Sequence, residues 1–159
     1  MKRVFLFLVG VVILSGFFGC EKGTTEKLTS DSIDTIRYGT SFGECMGYCI
    51  RDITITESEI NFEKRGWGMN GMLPEVSSSK NINSADWAAL IEKVDFDSFI
   101  LLDSVIGCPD CADGGAEYIE IVKGNQNHKV VFEFMNVPNE LGEIIDSLRN
   151  RMQMFADEN

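Results

Sequence analysis

Residues 50–64 read IRDITITESEINFEK, and this stretch indicates most clearly how the chain folds. Ile53 and Ile55 alternate with threonines, and Ile60 and Phe62 resume the alternation after a polar Glu-Ser-Glu segment. Because successive side chains of a strand point to opposite faces, this alternation is typical of strands with one buried face. The stretch therefore predicts a β-hairpin that covers an apolar core on one side.

A second hairpin is predicted further along the chain, on either side of a turn at residues 124–127. Apolar residues again alternate with polar ones, and they are Ile119, Ile121, Val130, Phe132 and Phe134. Weaker strand patterns occur at residues 33–40 and near residues 76–82. These predict weak extra strands, the second of them at an edge of the sheet.

Two segments have the period of an amphipathic helix. Residues 85–94 follow Ser84, a residue type that caps helix N-termini, and they place an apolar stripe on one face. The stronger pattern begins near Pro138 or Asn139, and its apolar face consists of Leu141, Ile144, Ile145, Leu148, Met152 and Phe155. The whole pattern predicts an α+β fold, an antiparallel β-sheet of two main hairpins plus weak extra strands, with two amphipathic helices on one face.

The first twenty residues have the pattern of an export signal. Two basic residues precede an uncharged apolar run over residues 4–18, which is shorter than the roughly 20 residues that a membrane span needs. Gly19 then precedes Cys20, and this ending resembles the lipobox of bacterial lipoproteins. Two phenylalanines stand where that motif usually has a leucine and a small residue.

The lipobox resemblance implies that residues 1–19 are a signal peptide and that Cys20 carries an acyl group such as palmitate. The membrane contact is then this anchor. Residues 20–32 are polar and without periodicity, which predicts a flexible tether before a single domain at residues 33–159. Glu21 stands where many inner-membrane lipoproteins have Asp, so we expect the outer membrane of a bacterial cell envelope, with the domain on the periplasmic or surface face.

The chain is acidic, with 14 basic and 25 acidic residues and a formal net charge of −11. Without residues 1–19, the chain has 12 basic and 25 acidic residues, which gives a formal net charge of −13. Such a charge repels nucleic-acid phosphates, so we do not expect nucleic acid as a partner. It also disfavours a basic contact with anionic lipid.

Besides the acylated cysteine, four cysteines form the close pairs Cys45/Cys49 and Cys108/Cys111. An even number in an exported domain predicts two disulfide bonds. Pairing of Cys45 with Cys49 needs a chain reversal at Gly47. Cross-pairing between the two loops would close a loop of about sixty residues and would stabilise the fold by about 4 kcal/mol, compared with about 2 kcal/mol for a five-residue loop. Turn residues around both pairs favour local pairing, and the other pairings stay open.

Two functional hypotheses use the same sulfurs. Four thiolates could bind zinc, for which Cys-x-x-Cys is a common half-site. Alternatively, residues 108–111 resemble a glutaredoxin-type redox motif, although a strand rather than a helix is predicted to follow them. Asp110, Asp113 and Glu117 match no calcium loop and are interpreted as solvated acids. Apart from the zinc alternative, no metal or other cofactor is predicted.

Catalytic patterns are otherwise absent from the sequence, and no catalytic residue is predicted. His128, the single histidine, is interpreted as an exposed turn residue. Trp67, Met69 and Met72 lie among glycines and are the candidate contact surface, with core packing of Trp67 as the alternative.

The segment FGECMGYC at residues 42–49, followed by the first predicted hairpin, resembles a family of uncharacterised bacterial lipoproteins with the pattern Phe-Gly-x-Cys-x-x-x-Cys. The likeness runs over residues 33–155 and includes GCPDCADGG at residues 107–115. Some members lack the second cysteine pair, which implies that Cys45 and Cys49 can pair with each other. The family has no known activity.

These observations together predict a lipid-anchored envelope protein that acts as a non-catalytic binding or structural module. Its ligand or partner is not specified by any motif. The alternative hypothesis is a thiol–disulfide or zinc-dependent activity centred on the Cys108/Cys111 and Cys45/Cys49 pairs.

Overall fold

A seven-stranded β-sheet forms the centre of the part of the chain that the computed structural model describes, residues 32–67 and 73–156. The strands are β1 (Thr35–Ser41), β2 (Ile50–Ile55), β3 (Glu59–Arg65), β4 (Val76–Asn81), β5 (Val105–Ile106), β6 (Ala116–Lys123) and β7 (Gln126–Glu133). Their order in the sheet is β4-β3-β2-β1-β6-β7-β5. Neighbouring strands are antiparallel, except that β5 runs parallel to β7.

The helical elements are α1 (Ser84–Ile91), the short α2 (Phe96–Phe99) and α3 (Gly142–Gln153), with 3₁₀ turns at Cys111–Asp113 and Asn139–Leu141. The Asn83 side chain caps α1 by accepting a hydrogen bond from the Asp86 N–H at 2.9 Å. The predicted cap, Ser84, is therefore wrong by one residue. Among the described residues, no helix has the length and apolar character that crossing a bilayer requires.

The predicted fold class is wrong about the sheet. The sequence predicted an antiparallel sheet of two main hairpins plus weak extra strands, whereas the seven strands form one mixed sheet. Strand β1 is central and pairs with β6 along its whole length and with β2 from Ile36 onward, although Gly39 and polar residues weaken its pattern. Strand β5 has two residues, which is too short for any periodicity to predict.

The hairpins β2–β3 and β6–β7 form where the alternation of apolar residues predicted them, and β4 is an edge strand at the predicted place. One face of the sheet packs into a single apolar core with α1 and α3. The fully buried members of this core include Ile36, Ile53, Ile119, Leu90 and Leu148. The opposite face carries polar side chains such as Arg37, Asn61 and Lys129, which are exposed.

Candidate functional site

Four polar side chains form a row across the buried face of the sheet. Lys64 on β3 pairs with Arg51 on β2, which pairs with Thr40 on β1, and Thr40 in turn pairs with Glu117 on β6. The neighbouring row on this face lies two residues away along each strand, and it consists of Phe62, Ile53, Tyr38 and Ile119. The polar row, defined as Lys64, Arg51, Thr40 and Glu117, therefore marks the end of the apolar core.

A cleft with a volume of about 910 Å³ lies between the polar row and the C-terminal part of α3. We name it the α3 cleft. Its apolar lining includes Tyr48, Phe62, Phe134, Met152 and Phe155. The Phe62 and Phe155 rings stack with their centroids 5.1 Å apart, so part of this lining is a continuous aromatic surface. The volume lies in the range of sites that bind small molecules, about 300–1,000 Å³.

A fully buried carboxylate, Glu117, lies beneath the α3 cleft and is held by three neighbours. Its Oε1 accepts hydrogen bonds from Arg149 Nη2 at 2.6 Å and from the Met135 N–H at 2.9 Å. Its Oε2 accepts from the Tyr38 hydroxyl at 2.7 Å and from Arg149 Nε at 3.2 Å. Each oxygen therefore has two donors, which uses the full accepting capacity of a carboxylate.

These contacts shift the pKa values of both partners of Glu117. Burial, together with the hydrogen bond to Glu117, raises the pKa of Tyr38 well above its ordinary value. Burial lowers the pKa of Arg149, but its hydrogen bonds and charge attraction to Glu117 outweigh that effect and raise it. Tyr38 therefore stays protonated and Arg149 stays charged near neutral pH. With its acceptor sites filled, Glu117 is a structural anchor for α3 and has no free lone pair with which to act as a base.

Arg51 and Lys64, the two cations of the polar row, line the α3 cleft together with Arg149. The Arg149 guanidinium forms an ion pair with Glu117 and lies 3.6 Å from Asp146. Arg51 is exposed, and its side chain has no hydrogen bond or ion pair with any other described residue. Lys64 is 9% exposed, and its Nζ lies 4.7 Å from the centroid of the Tyr48 ring. The cleft lining therefore combines aromatic surface with the cationic side chains of Arg51 and Lys64.

No single motif in the sequence points to this site. Glu117 was interpreted as a solvated acid, and that interpretation is wrong, because the residue is fully buried. The available signal is its position two residues before Ile119 and four before Ile121, which places it on the inward face of β6. Arg51 and Lys64 occupy the corresponding inward positions of the first hairpin.

Both cysteine pairs are locally bonded, as the turn residues favoured. The Cα atoms are 5.6 Å apart in Cys45–Cys49 and 5.4 Å apart in Cys108–Cys111. The two bonded loops are neighbours, since Asp110 Oδ1 accepts a hydrogen bond from the Gly43 N–H, in the first loop region, at 3.2 Å. The disulfides therefore brace the loops at one end of the sheet, near the cleft-lining Phe134, whose ring packs edge-on against Phe42 at 4.8 Å.

The bonded state bears on the zinc and redox hypotheses for these cysteines. While both bridges are formed, none of the four sulfurs is a thiolate that could ligate zinc. Cys111 begins a three-residue 3₁₀ turn that is followed by β6, so Cys108 does not lie at the N-terminus of an α-helix that would lower its pKa. Within the described residues no group of three or more metal-binding side chains occurs.

Of the residues predicted to form the contact surface and the lipid site, only Trp67 lies within the described part of the chain. Trp67 is 49% exposed, and its Nε1–H donates a hydrogen bond to the Phe42 carbonyl at 2.6 Å, which places it outside the apolar core. Met69, Met72 and Cys20 lie outside the described residues. Their proposed roles therefore stay predictions.

His128 is not the exposed turn residue that the sequence suggested. It lies in β7, is partly buried, and its Nε2 is 2.9 Å from the Leu102 carbonyl oxygen. Its ring packs edge-on against Phe99 with centroids 5.3 Å apart. These contacts are those of a structural side chain at the edge of the core.

In comparisons with known proteins, no family model and no curated protein matches this chain. The resemblance to lipoproteins with the Phe-Gly-x-Cys-x-x-x-Cys pattern therefore stays a prediction.

Proposed function

We propose that this chain is a lipid-anchored protein of the bacterial cell envelope whose domain is a non-catalytic binding module. The observation that carries the binding role is the α3 cleft, which has the volume of a ligand site and an aromatic lining. The saturated hydrogen bonding of Glu117 favours binding over catalysis, because the buried carboxylate has no acceptor site left for a substrate proton.

The proposal of a lipid anchor is based on the N-terminal leader and on the disulfide-bonded cysteines. An apolar run that ends in Gly19-Cys20 fits a lipoprotein signal, and two disulfide bonds fit an oxidising compartment outside the cytoplasm. The acidic residue after Cys20 is Glu21, which supports an outer-membrane location on the periplasmic or surface face. The polar tether of residues 20–32 would hold the cleft away from the lipid surface.

Metabolic labelling with palmitate tests the anchor in the full-length chain. We expect wild-type protein in the membrane fraction to carry the label and the Cys20→Ser variant to carry none. Unlabelled wild-type protein in the cytoplasmic fraction, with its leader intact, would contradict the proposal.

Methionine methyl NMR of the full-length chain in phospholipid nanodiscs tests the binding role, with octanol and octanoate as probes. Met152 lines the α3 cleft, whereas Met154 is exposed and outside the lining, so their methyl groups provide a site signal and an internal control. We expect at least one probe to shift the Met152 signal saturably.

A matched pair of variants localises that binding. Gln153→Trp adds bulk to a residue that lines the cleft, whereas Met154→Trp makes the same change at the next position. We expect the first variant to abolish the Met152 shift and the second to retain it. If neither probe produces a saturable shift in wild-type protein, the proposed binding role is wrong.

A further inference from the structure

The two disulfide bonds differ in their exposure to solvent. Cys108 and Cys111 are both exposed, and so are the residues that follow them at positions 112–114. In the other bridge, Cys49 is 1% exposed and Cys45 is half-buried. Because thiol–disulfide exchange requires a thiolate to reach one sulfur of the bridge, access favours attack on Cys108–Cys111.

The two disulfide loops also differ in backbone conformation. Within and just after the Cys108–Cys111 loop, three residues have left-handed φ values, Asp110 at 59°, Ala112 at 52° and Asp113 at 59°. In the other loop the residue with a positive φ is Gly47, at 110°, and glycine adopts such values without a steric penalty. Left-handed backbone is unfavourable for residues with a Cβ, for alanine more than for aspartate. Such conformations persist only where the surrounding structure imposes them, and the bridge is one of the constraints here.

Exposure and backbone strain both make a disulfide bond easier to reduce. Strained or exposed bridges have higher reduction potentials than buried structural ones, because reduction releases the strain. The loops are nearly equal in length, with sequence separations of 4 residues for Cys45–Cys49 and 3 for Cys108–Cys111, so loop entropy does not separate them. We therefore expect a reductant to open Cys108–Cys111 first.

The Cys108 backbone is hydrogen-bonded to the segment that forms one wall of the α3 cleft. The Cys108 N–H donates to Glu133 Oε1 at 2.8 Å, and Asn136 Nδ2 donates to Glu133 Oε2 at 2.8 Å. Between Glu133 and Asn136, the residues Phe134 and Met135 line the cleft. A change in the Cys108 backbone therefore reaches the cleft wall through the Glu133 carboxylate.

We infer that Cys108–Cys111 is a redox switch of the α3 cleft, opened by a dithiol reductant. A thiolate of the reductant attacks one sulfur of the bridge and forms a mixed disulfide. Its second thiolate then displaces the bound cysteine, so the reductant leaves as its own internal disulfide and the chain gains two electrons and two protons as two thiols. Because Cys108 does not lie at the N-terminus of an α-helix, the pair is the substrate of this exchange and not its catalyst.

Equilibration of the full-length chain with mixtures of reduced and oxidised dithiothreitol tests the selectivity. Acid quenching, alkylation of free thiols and peptide mass mapping give the reduced fraction of each cysteine pair. We expect Cys108–Cys111 to be half reduced at a ratio of reduced to oxidised reagent about tenfold lower than Cys45–Cys49. Equal ratios, or earlier reduction of Cys45–Cys49, would overturn the inference. The assay needs no ligand, so such a failure would leave the proposed binding role untouched.

Ala112→Gly tests the contribution of the backbone. Glycine removes the steric penalty of the left-handed conformation and so stabilises the bridged form, and we expect half reduction of Cys108–Cys111 to need a ratio about threefold higher than in wild-type protein. The matched control is Ala112→Ser, which keeps a Cβ and should retain the wild-type ratio. An unchanged or lower ratio in Ala112→Gly would contradict the strain on which the inference is based and would overturn it.

Methionine methyl NMR of the full-length chain in phospholipid nanodiscs tests the effect on the cleft. Met135 lines the cleft next to Phe134, whereas Met154 is exposed and outside the lining. At a reagent ratio that opens only Cys108–Cys111, we expect the Met135 signal to shift and the Met154 signal to stay. The double variant Cys108→Ser, Cys111→Ser should show the shifted Met135 signal without reductant and no further change with it. A Met135 signal that is the same in bridged and reduced wild-type protein would overturn the inference.

Discussion

The two faces of the sheet each contain a carboxylate, a tyrosine and an arginine, but in different surroundings. On the buried face, Glu117 is held by Tyr38 and Arg149. On the outer face, Asp52 Oδ1 accepts a hydrogen bond from the Tyr118 hydroxyl at 2.8 Å, and Asp52 Oδ2 lies 2.7 Å from Arg65 Nη1. We name these sets the inner and outer triads.

The difference between the triads is access to water. The Glu117 side chain is 0% exposed and its arginine 24%, whereas the values are 12% for Asp52 and 40% for Arg65. A buried ion pair is costly to break because one charge stays buried without a partner, while a solvated pair contributes little. The same three chemical groups therefore hold α3 in place on one face and only support the sheet surface on the other.

The largest expected effect is that of Glu117→Gln. The amide keeps the shape of the side chain but removes the buried counter-charge of Arg149 and leaves it only the exposed Asp146, so we expect a loss of about 3 kcal/mol in the free energy of unfolding. Urea denaturation followed by circular dichroism measures it. A loss below about 1 kcal/mol would mean that the inner triad behaves like a surface ion pair.

Gly39→Ala should disrupt the outer triad by steric overlap. A Cβ at Gly39 would overlap Asp52 Oδ1 and Tyr118 Cε1, and it would lie 2.9 Å from the Arg51 carbonyl oxygen. We expect a loss of about 2 kcal/mol, typical of overpacking, in the same denaturation assay. An unchanged free energy of unfolding would show that the Asp52 and Tyr118 side chains move aside freely. The outer triad would then contribute even less to stability, relative to the inner triad, than we expect.

Asp52→Asn should have a smaller effect than either of these changes. The amide oxygen still accepts from the Tyr118 hydroxyl, and the partner Arg65 is exposed to water, so we expect a loss of about 1 kcal/mol or less. This variant is the matched control for Glu117→Gln, because both replace one carboxylate by its amide. Equal losses in the two variants would contradict the comparison.

At alkaline pH the two triads should behave alike. Burial comes first among the causes that raise the pKa of Tyr38 and of Tyr118, and the neighbouring carboxylate adds to it in each case. Because the folded pKa lies above the unfolded value of about 10, the stabilising contribution is complete below about pH 10 and is lost as the pH rises further. We expect Tyr38→Phe and Tyr118→Phe each to reduce the alkaline slope of the unfolding free energy, whereas an unchanged slope would mean that the phenol titrates normally.

Much of the local structure could be predicted from particular residues. Ile53, Ile55, Ile60 and Phe62 predicted the first hairpin, and the apolar stripe that includes Leu148 predicted α3. Turn residues around each cysteine pair favoured the local disulfide bonds that form. These signals work because the interacting residues are close in sequence, so spacing alone carries the information.

The site could not be predicted in this way, because its residues come from separate strands and from α3. Tyr38 and Glu117 are 79 residues apart in sequence, and Arg149 is a further 32 residues along. The central position of β1 and the parallel pairing of β5 likewise depend on which strands lie side by side. No local period encodes such neighbours.

The sequence by itself therefore determined the hairpins, the amphipathic helices and the acidic charge, and it favoured the local disulfides, since these depend on residue type and short spacing. Tertiary structure decided that Glu117 is buried and saturated, that Arg51 and Lys64 face a cleft, and that the sheet is mixed. The physical reason is that burial and electrostatic partnership are properties of neighbours in space. Packing of α3 against the sheet creates those neighbours.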